Sequence, residues 1–209
     1  MIRQFAAAAL VLIALPIHAT TYTIEPDHAQ GVFRWNHLGF SNPAGQFSRS
    51  EGTLEFDPAD PAKSSVQVTI PLSSLQTGVP ALDEDLKSDQ FFDVAKFPTA
   101  TFKSSKVQKS GIAGHLQVVG NLNLHGIVKP VTLNLAVVKI GTNPRTGLST
   151  VGFDATTTLR RSDFGLGAYV PQVGDEIEMR IIIEAVEAKA YAEYLKKRAD
   201  EAAKAGESK

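Results

Sequence analysis

The sequence predicts a mainly β protein whose strands pair antiparallel. Short segments along the chain alternate apolar and polar residues with a period of two, as at Val66, Val68 and Ile70, which is typical of half-buried strands. Turn-forming clusters such as 57–61 and 141–144 separate these segments. Because the connections are short and only one stretch could supply a helical crossover, an antiparallel meander or barrel is favoured over a parallel sheet.

Eight or nine strands are predicted along the chain. The alternation is clearest at 66–72, 116–124, 131–137, 151–159 and 177–183, and less regular at 21–24, 31–37, 46–56 and 99–107. One short amphipathic helix is expected within 80–92, with Leu82, Leu86 and Phe91 as its apolar residues.

The first 19 residues have the composition of a secretory signal peptide. Arg3 supplies a positive charge, 5–15 is an unbroken apolar run, and 16–19 ends on the small residue Ala19. The apolar run is about half the length that a membrane-spanning helix needs. We therefore expect cleavage after Ala19 and export, with the bacterial periplasm as the compartment.

The last segment, 188–209, differs in composition from the rest. It is rich in Ala, Glu and Lys, and the pairs Glu193–Lys197 and Asp200–Lys204 have helical i,i+4 spacing. A solvated helical tail is favoured over a docking or oligomerisation helix, because two heptads are short for a coiled coil. Residues 20–187 are expected to form a single domain.

The overall composition excludes several classes of function. Apolar residues make up 43% of the 209 residues, which is too many for a disordered chain, and 21 Lys+Arg against 22 Asp+Glu leave a net charge of −1. That balance lacks the basic surface that nucleic acid binding requires. The absence of cysteine excludes disulfides, thiolate metal sites and cysteine nucleophiles.

No catalytic motif accompanies this pattern. The chain lacks the serine elbow, zinc-protease, dinucleotide and phosphate-loop signatures. Asp27 and His28 are the nearest approach to an acid–base pair, but neighbours on an extended strand point to opposite faces. His28, His37, His115 and His125 also lack the spacing of a preformed metal-binding pair. A structural role is favoured for each of them.

Aromatic residues are concentrated in the first half of the mature chain. An eight-stranded barrel is just wide enough to be filled by side chains or to hold one small ligand. Composition alone leaves both a filled core and a closed apolar cavity open. The cluster consists of Phe33, Trp35, Phe40, Phe47, Phe56, Phe91, Phe92, Phe97 and Phe102.

Several segments together resemble one known family. They are 27–33 followed by His37 and 45–47, then 71–77, 86–93, 96–102, 120–131, 161–165 and 173–175. Their order and spacing are similar to those of the YceI-like family of bacterial periplasmic lipid-binding proteins, and the resemblance extends over 21–185.

The resemblance implies an all-β fold, namely an extended, eight-stranded antiparallel lipocalin-like barrel with an elongated apolar bore. It further implies non-enzymatic binding, transport or storage of a polyisoprenoid, an isoprenoid quinone or a fatty-acid derivative, with no cofactor besides that lipid. Many members carry a basic residue and a histidine where this chain has Leu82 and Asp85. Any headgroup or metal role of that histidine therefore does not transfer to this chain.

The expected ligand-binding residues are mostly apolar. Arg161 and Asp163 are predicted on one side of a strand, cross-linking its neighbours, with headgroup contact as the second interpretation. The full set is Phe33, Trp35, Phe92, Phe102, Val118, Phe153, Phe164, Arg161, Asp163 and His28.

Two other functional hypotheses stay open at this point. One is an enzyme that modifies such a lipid, with Asp27, His28 or Asp163 as candidate catalytic groups. The other is a structural or adhesion domain that uses the tail as its contact helix. The expected partner is an apolar lipid, without nucleic acid, with transient membrane contact left open and with a monomeric or dimeric state.

Overall fold

The computed structural model describes residues 19–207, so the predicted signal peptide lies outside the described residues apart from Ala19. Within this range the chain forms ten strands, two α-helices and three short 3-10 helices. The 3-10 helices are Pro61–Lys63, Leu72–Ser74 and Arg161–Phe164. The strands are β1 (Thr20–Arg34), β2 (Ala44–Phe47), β3 (Glu51–Phe56), β4 (Ser65–Pro71), β5 (Leu75–Gln76), β6 (Thr99–Lys109), β7 (His115–Leu124), β8 (Ile127–Thr142), β9 (Ser149–Arg160) and β10 (Glu176–Glu187), and the helices are α1 (Pro80–Lys87) and α2 (Ala188–Glu207).

Eight of these strands close into an antiparallel barrel in the order β1-β10-β9-β8-β7-β6-β4-β3 and back to β1. The predicted all-β barrel with one short helix and a C-terminal helix is confirmed. At one end β2 replaces β3 as the neighbour of β1, and β5 pairs with β2. The barrel is long, since the 16 residues of β8 span about 50 Å at the usual rise of a strand.

Two predicted strand boundaries were wrong. The segments predicted at 21–24 and 31–37 form the single strand β1, which is interrupted by a bulge between Ile24 and Ala29. The bulge breaks the period of two, and the sequence pattern therefore shows a gap where the strand continues. The strand predicted at 46–56 is split into β2 and β3.

The first helix also differs from its predicted limits. α1 ends at Lys87, before Phe91. The Asp83 carboxylate accepts hydrogen bonds of 2.6 Å from the Thr77 backbone N–H and hydroxyl, which ties the start of α1 to the end of β5. The carboxylate of Glu187 accepts the backbone N–H groups of Lys189 and Ala190, so it caps the first turn of α2.

The placement of Arg161 and Asp163 on a strand was wrong. β9 ends at Arg160, and Arg161–Phe164 turns into a 3-10 helix that closes on Gly165 in the left-handed conformation. The two side chains consequently do not share a strand face. No helix within residues 19–207 combines the length and apolar character needed to cross a lipid bilayer.

Candidate functional site: an apolar bore with two chambers

The inward faces of the barrel strands enclose a large chamber. It contains about 1200 Å³ of unoccupied space, including space open to solvent. Leucine, valine, isoleucine and phenylalanine dominate its wall, and its polar lining residues are Ser50, Ser64, Ser65 and Thr157. Phe102 on β6, Val118 on β7 and Phe153 on β9 belong to this wall and are buried.

A small chamber continues the bore toward α1. It contains about 930 Å³ of unoccupied space, again including space open to solvent. Its wall includes Phe33, Trp35, Phe92 and Phe164. The two chambers adjoin one another inside the barrel, because they share a set of lining residues: Phe47, Ile70, Leu122, Leu159 and Met179.

An aromatic cluster forms one side of the small chamber. Phe33 stacks on Trp35 with ring centroids 5.8 Å apart and lies 5.4 Å from Phe47, which in turn meets the edge of Phe92 at 5.6 Å. Gly45 on the paired strand makes room for the Phe33 ring, because a Cβ there would lie 2.5 Å from Phe33 Cζ. The position of the Phe33 ring in this wall therefore depends on the absence of a side chain at Gly45.

Among residues 19–207, Arg161 is the charged residue that lines the bore, and its guanidinium donates hydrogen bonds to backbone carbonyls. Nε donates to the carbonyl of Gly174 at 2.8 Å, one Nη to those of Leu166 and Ala168, and the other Nη to Val173 at 2.9 Å. Burial lowers the pKa of Arg161 from its ordinary value, an effect that the nearby Asp175 opposes. The side chain ties the loop after the 3-10 helix to the end of the barrel.

Asp175 fixes the same corner from outside. Its carboxylate accepts hydrogen bonds from the backbone N–H of Ser162 at 2.9 Å, from the Ser162 hydroxyl at 2.7 Å and from Arg160 at 3.2 Å. Burial alone would raise the pKa of Asp175, but these hydrogen bonds and the charge of Arg160 outweigh it and leave the pKa below its ordinary value.

Exposed apolar side chains surround the end of the small chamber. A tight turn at 37–41 follows Trp35 and holds Phe40 in solvent, where 92% of its surface is exposed. Leu38 in this turn and Tyr169 in the facing loop are exposed, and both have left-handed backbones, with φ of 56° and 61°. Such conformations cost a non-glycine residue about 1–2 kcal/mol. Tyr169 packs on Phe91 of the chamber wall, so the rim is continuous with the bore.

Comparison with known proteins identifies this barrel. The model of the YceI-like domain matches residues 22–185. The chain belongs to the YceI-like family. A UPF0312 protein of Enterobacter sp. strain 638 is 38% identical over 174 residues, which cover 82% of this chain and 89% of that protein.

Solved structures share the YceI-like fold. BcnA of Burkholderia cenocepacia superposes with a TM-score of 0.67 at 25% identity, covering 75% of this chain and 95% of BcnA. A domain from Saccharophagus degradans, described as a polyisoprenoid binding domain implicated in plant cell wall breakdown, superposes with a TM-score of 0.61. At 15% identity, over 82% of this chain and all of that domain, this likeness shows the fold alone.

The YceI-like barrel brings together most of the residues that the sequence singled out. The seven predicted apolar residues and Arg161 line one chamber or the other, whereas Asp163 and His28 line neither. Asp163 is exposed on the 3-10 helix. Asp27 and His28 lie in the β1 bulge, and both are exposed.

Sequence reasoning missed two residues of the bore. Leu166 and Val173 reach the small chamber from the loop between the 3-10 helix Arg161–Phe164 and β10, whereas Leu72 lies in the predicted alternating run 66–72. The loop carries no period-two pattern, so periodicity could not find its two residues. Leu86, expected on the apolar face of the helix, does line this chamber.

Proposed function

We propose that this protein binds one long apolar lipid in its bore and carries or stores it in the periplasm without altering it. The observation that carries the proposal is a pair of adjoining chambers with an almost entirely apolar wall. Among residues 19–207, no carboxylate lines either chamber. A ligand with few polar atoms fits such a wall, because each buried polar group would need a partner that the wall does not supply.

The length of the bore favours an extended chain over a compact ligand. Two adjoining chambers inside strands of up to 16 residues offer an elongated space. Burial of a hydrocarbon contributes about 0.8 kcal/mol for each methylene-sized group, so a long chain gains affinity along its whole length. Ordering that chain offsets part of this gain.

The chemical class of ligand is a polyisoprenoid, an isoprenoid quinone or a fatty-acid derivative. The description of the Saccharophagus degradans domain as polyisoprenoid-binding supports the first of these, since the two chains share a fold. The wall itself supports a binding function without catalysis. Its charged residue, Arg161, donates four hydrogen bonds to backbone carbonyls, so most of its N–H groups are not available to a substrate.

Lipid extraction tests this proposal. The full chain, with its own first 19 residues, is expressed in a bacterium, purified without detergent from the periplasmic fraction, and extracted for mass spectrometry. We expect about one lipid per chain, chemically unchanged on prolonged incubation, and a mature N-terminus at Thr20. An empty bore overturns lipid binding, conversion of the lipid overturns the non-enzymatic role, and an uncleaved cytoplasmic chain overturns the periplasmic assignment.

A further inference from the structure

We propose that Glu25, His28 and Glu184 form a binding site for a divalent transition metal ion on the outer wall of the barrel. The site lies on the β1–β10 seam, away from the lining of the bore. It is independent of the lipid-binding proposal.

The bulge in β1 creates this arrangement. Ile24 pairs with Ala185 of β10 and Ala29 pairs with Ile183, so the four residues 25–28 stand opposite the single residue Glu184. A regular strand would send neighbouring side chains to alternate faces. The bulge instead lets Glu25 and His28, at its two ends, both reach the carboxylate of Glu184.

The donor atoms are close enough to share one ion. Nδ1 of His28 lies 2.9 Å from Oε2 of Glu25, and one donor atom from each of the three residues lies within 4.8 Å of the other two. Around a tetrahedral ion with bonds of about 2.1 Å, neighbouring donors stand about 3.4 Å apart. Rotation of the Glu25 and Glu184 side chains covers the difference, and His28, with 56% of its side chain exposed, leaves an open side for water ligands.

The donor set has the chemistry of a transition-metal site. One imidazole with two carboxylates suits Zn²⁺ and its neighbours in the first transition row better than Mg²⁺ or Ca²⁺, which prefer oxygen donors alone. No cysteine stands anywhere in the sequence to compete for the ion. Zn²⁺ is therefore the appropriate probe.

The two glutamates lack a basic ion-pair partner. Within residues 19–207, neither Glu25 nor Glu184 forms an ion pair with lysine or arginine. Tyr191, in the first turn of α2, lies near these charges: burial raises its pKa most, Glu25 and Asp27 add to the rise, and the charge of Arg198 opposes it. A divalent cation would neutralise the two carboxylates that the bulge brings together.

Zinc titration of the mature, tag-free chain tests the site. Isothermal calorimetry of apo protein with ZnCl₂ should give one ion per chain, and thermal unfolding should shift upward with zinc, because an ion that binds only the folded state stabilises it. His28→Ala and Glu184→Gln should each weaken binding about tenfold or more. Co²⁺ absorption provides a second readout of coordination by His28.

Matched controls separate this site from other histidines and acids. Glu178→Gln removes an exposed carboxylate from the same strand, and His115→Ala removes an exposed histidine from β7. Both should bind zinc like the wild type. The proposal is overturned if the wild-type chain takes up no zinc, or if His28→Ala and Glu184→Gln, folded by circular dichroism, bind it as tightly as Glu178→Gln.

Discussion

The ring of Phe102 on β6 lies directly over Gly120 on β7, in the position that a side chain on residue 120 would occupy. A Cβ at residue 120 would also stand 2.5 Å from the backbone oxygen of Lys103. The wall of the large chamber is therefore formed at this place by an aromatic ring that covers a glycine, as aromatic residues do beside glycines in other sheets.

We expect Gly120→Ala to destabilise the barrel by about 1–3 kcal/mol, because an added methyl group overpacks this contact. Urea unfolding measures the loss. Gly152→Ala on β9 is the matched control, since its nearest atom lies 3.9 Å from the new Cβ. Phe102→Leu in the Gly120→Ala background should recover only part of the stability, because the Lys103 oxygen remains. Equal stability of the two alanine variants would contradict the proposed contact.

Val118→Trp tests whether ligand occupies the large chamber. Val118 is buried with its side chain in this chamber, so a tryptophan there fills space that a lipid would need. We expect lipid uptake from detergent-free extracts, measured by mass spectrometry, to fall about tenfold or more.

Val119→Trp is the matched control for this substitution. Val119 is the next residue on β7 and is absent from the lining of either chamber, so the same bulk is added outside the bore. It should bind lipid like the wild type. A folded Val118→Trp protein that takes up the full lipid would place the ligand outside the bore.

The apolar wall was largely predictable from the sequence because a strand imposes a period of two. Val66, Val68 and Ile70 alternate in the sequence and line the large chamber in the structure. The same reasoning predicted inward positions for Val118 and Phe153, and their side chains do point into the barrel. Periodicity indicates which residues lie on the same face of a strand. When the strands close into a barrel, the apolar face becomes the interior.

Features that depend on broken periodicity were not predictable. The β1 bulge interrupts the pattern between Ile24 and Ala29, so one strand was read as two. Arg161 follows a strand directly but begins a 3-10 helix, which Gly165 closes in a left-handed conformation by donating its backbone N–H to the carbonyls of Arg161 and Ser162. The meeting of Glu184 with His28 joins residues far apart in sequence and needs the β1–β10 register, which no local pattern contains.

Phe40→Ser tests whether the apolar rim contacts a membrane during lipid loading. Phe40 is almost fully exposed, so its loss should leave the stability of the fold within about 0.5 kcal/mol of wild type. If the rim enters the bilayer surface, transfer of lipid from vesicles to the protein should slow severalfold, while the amount bound at equilibrium stays the same. Stopped-flow transfer of a fluorescent lipid measures the rate.

Ile112→Ser is the control for the rim. Ile112 is also exposed but lies in the turn between β6 and β7, at the opposite end of the barrel. It should leave the transfer rate unchanged. Equal rates for Phe40→Ser, Ile112→Ser and the wild type would remove the rim from the loading step.

Asp175→Asn should make the free energy of unfolding less dependent on pH in the acid range. Because the pKa of Asp175 in the folded protein is depressed, its contribution is fully present above the unfolded value of about 3.9 and is lost as pH falls through the lower, folded value. We expect the variant to be about 1–3 kcal/mol less stable than the wild type at pH 7, because its hydrogen bonds no longer have a charged acceptor. At pH 3 the two proteins should be closer in stability. Urea unfolding at both pH values measures this, with the exposed Asp163→Asn as control. A constant difference across pH would exclude ionisation as the cause.

Arg161→Met separates the two interpretations of the buried arginine. Four carbonyl oxygens lose their donor in this variant, and methionine fills a similar volume without replacing them. We expect a loss of about 3–5 kcal/mol, as for removal of one partner from other buried charged contacts. Arg160→Met, which removes an exposed ion pair with Asp175, should cost less than about 1 kcal/mol.

Lipid binding by the same variant then decides whether Arg161 also holds a headgroup. The measurement compares the affinities for a neutral isoprenoid and for an isoprenyl phosphate, at a low temperature where Arg161→Met is still folded. If Arg161 only ties the loop to the barrel, the ratio of these two affinities should be the same in the variant and in the wild type. If the guanidinium also contacts an anionic head, only the phosphate should lose affinity, and the salt dependence of its binding should weaken. Because four of the five guanidinium N–H donors are taken by carbonyls, we expect an unchanged ratio.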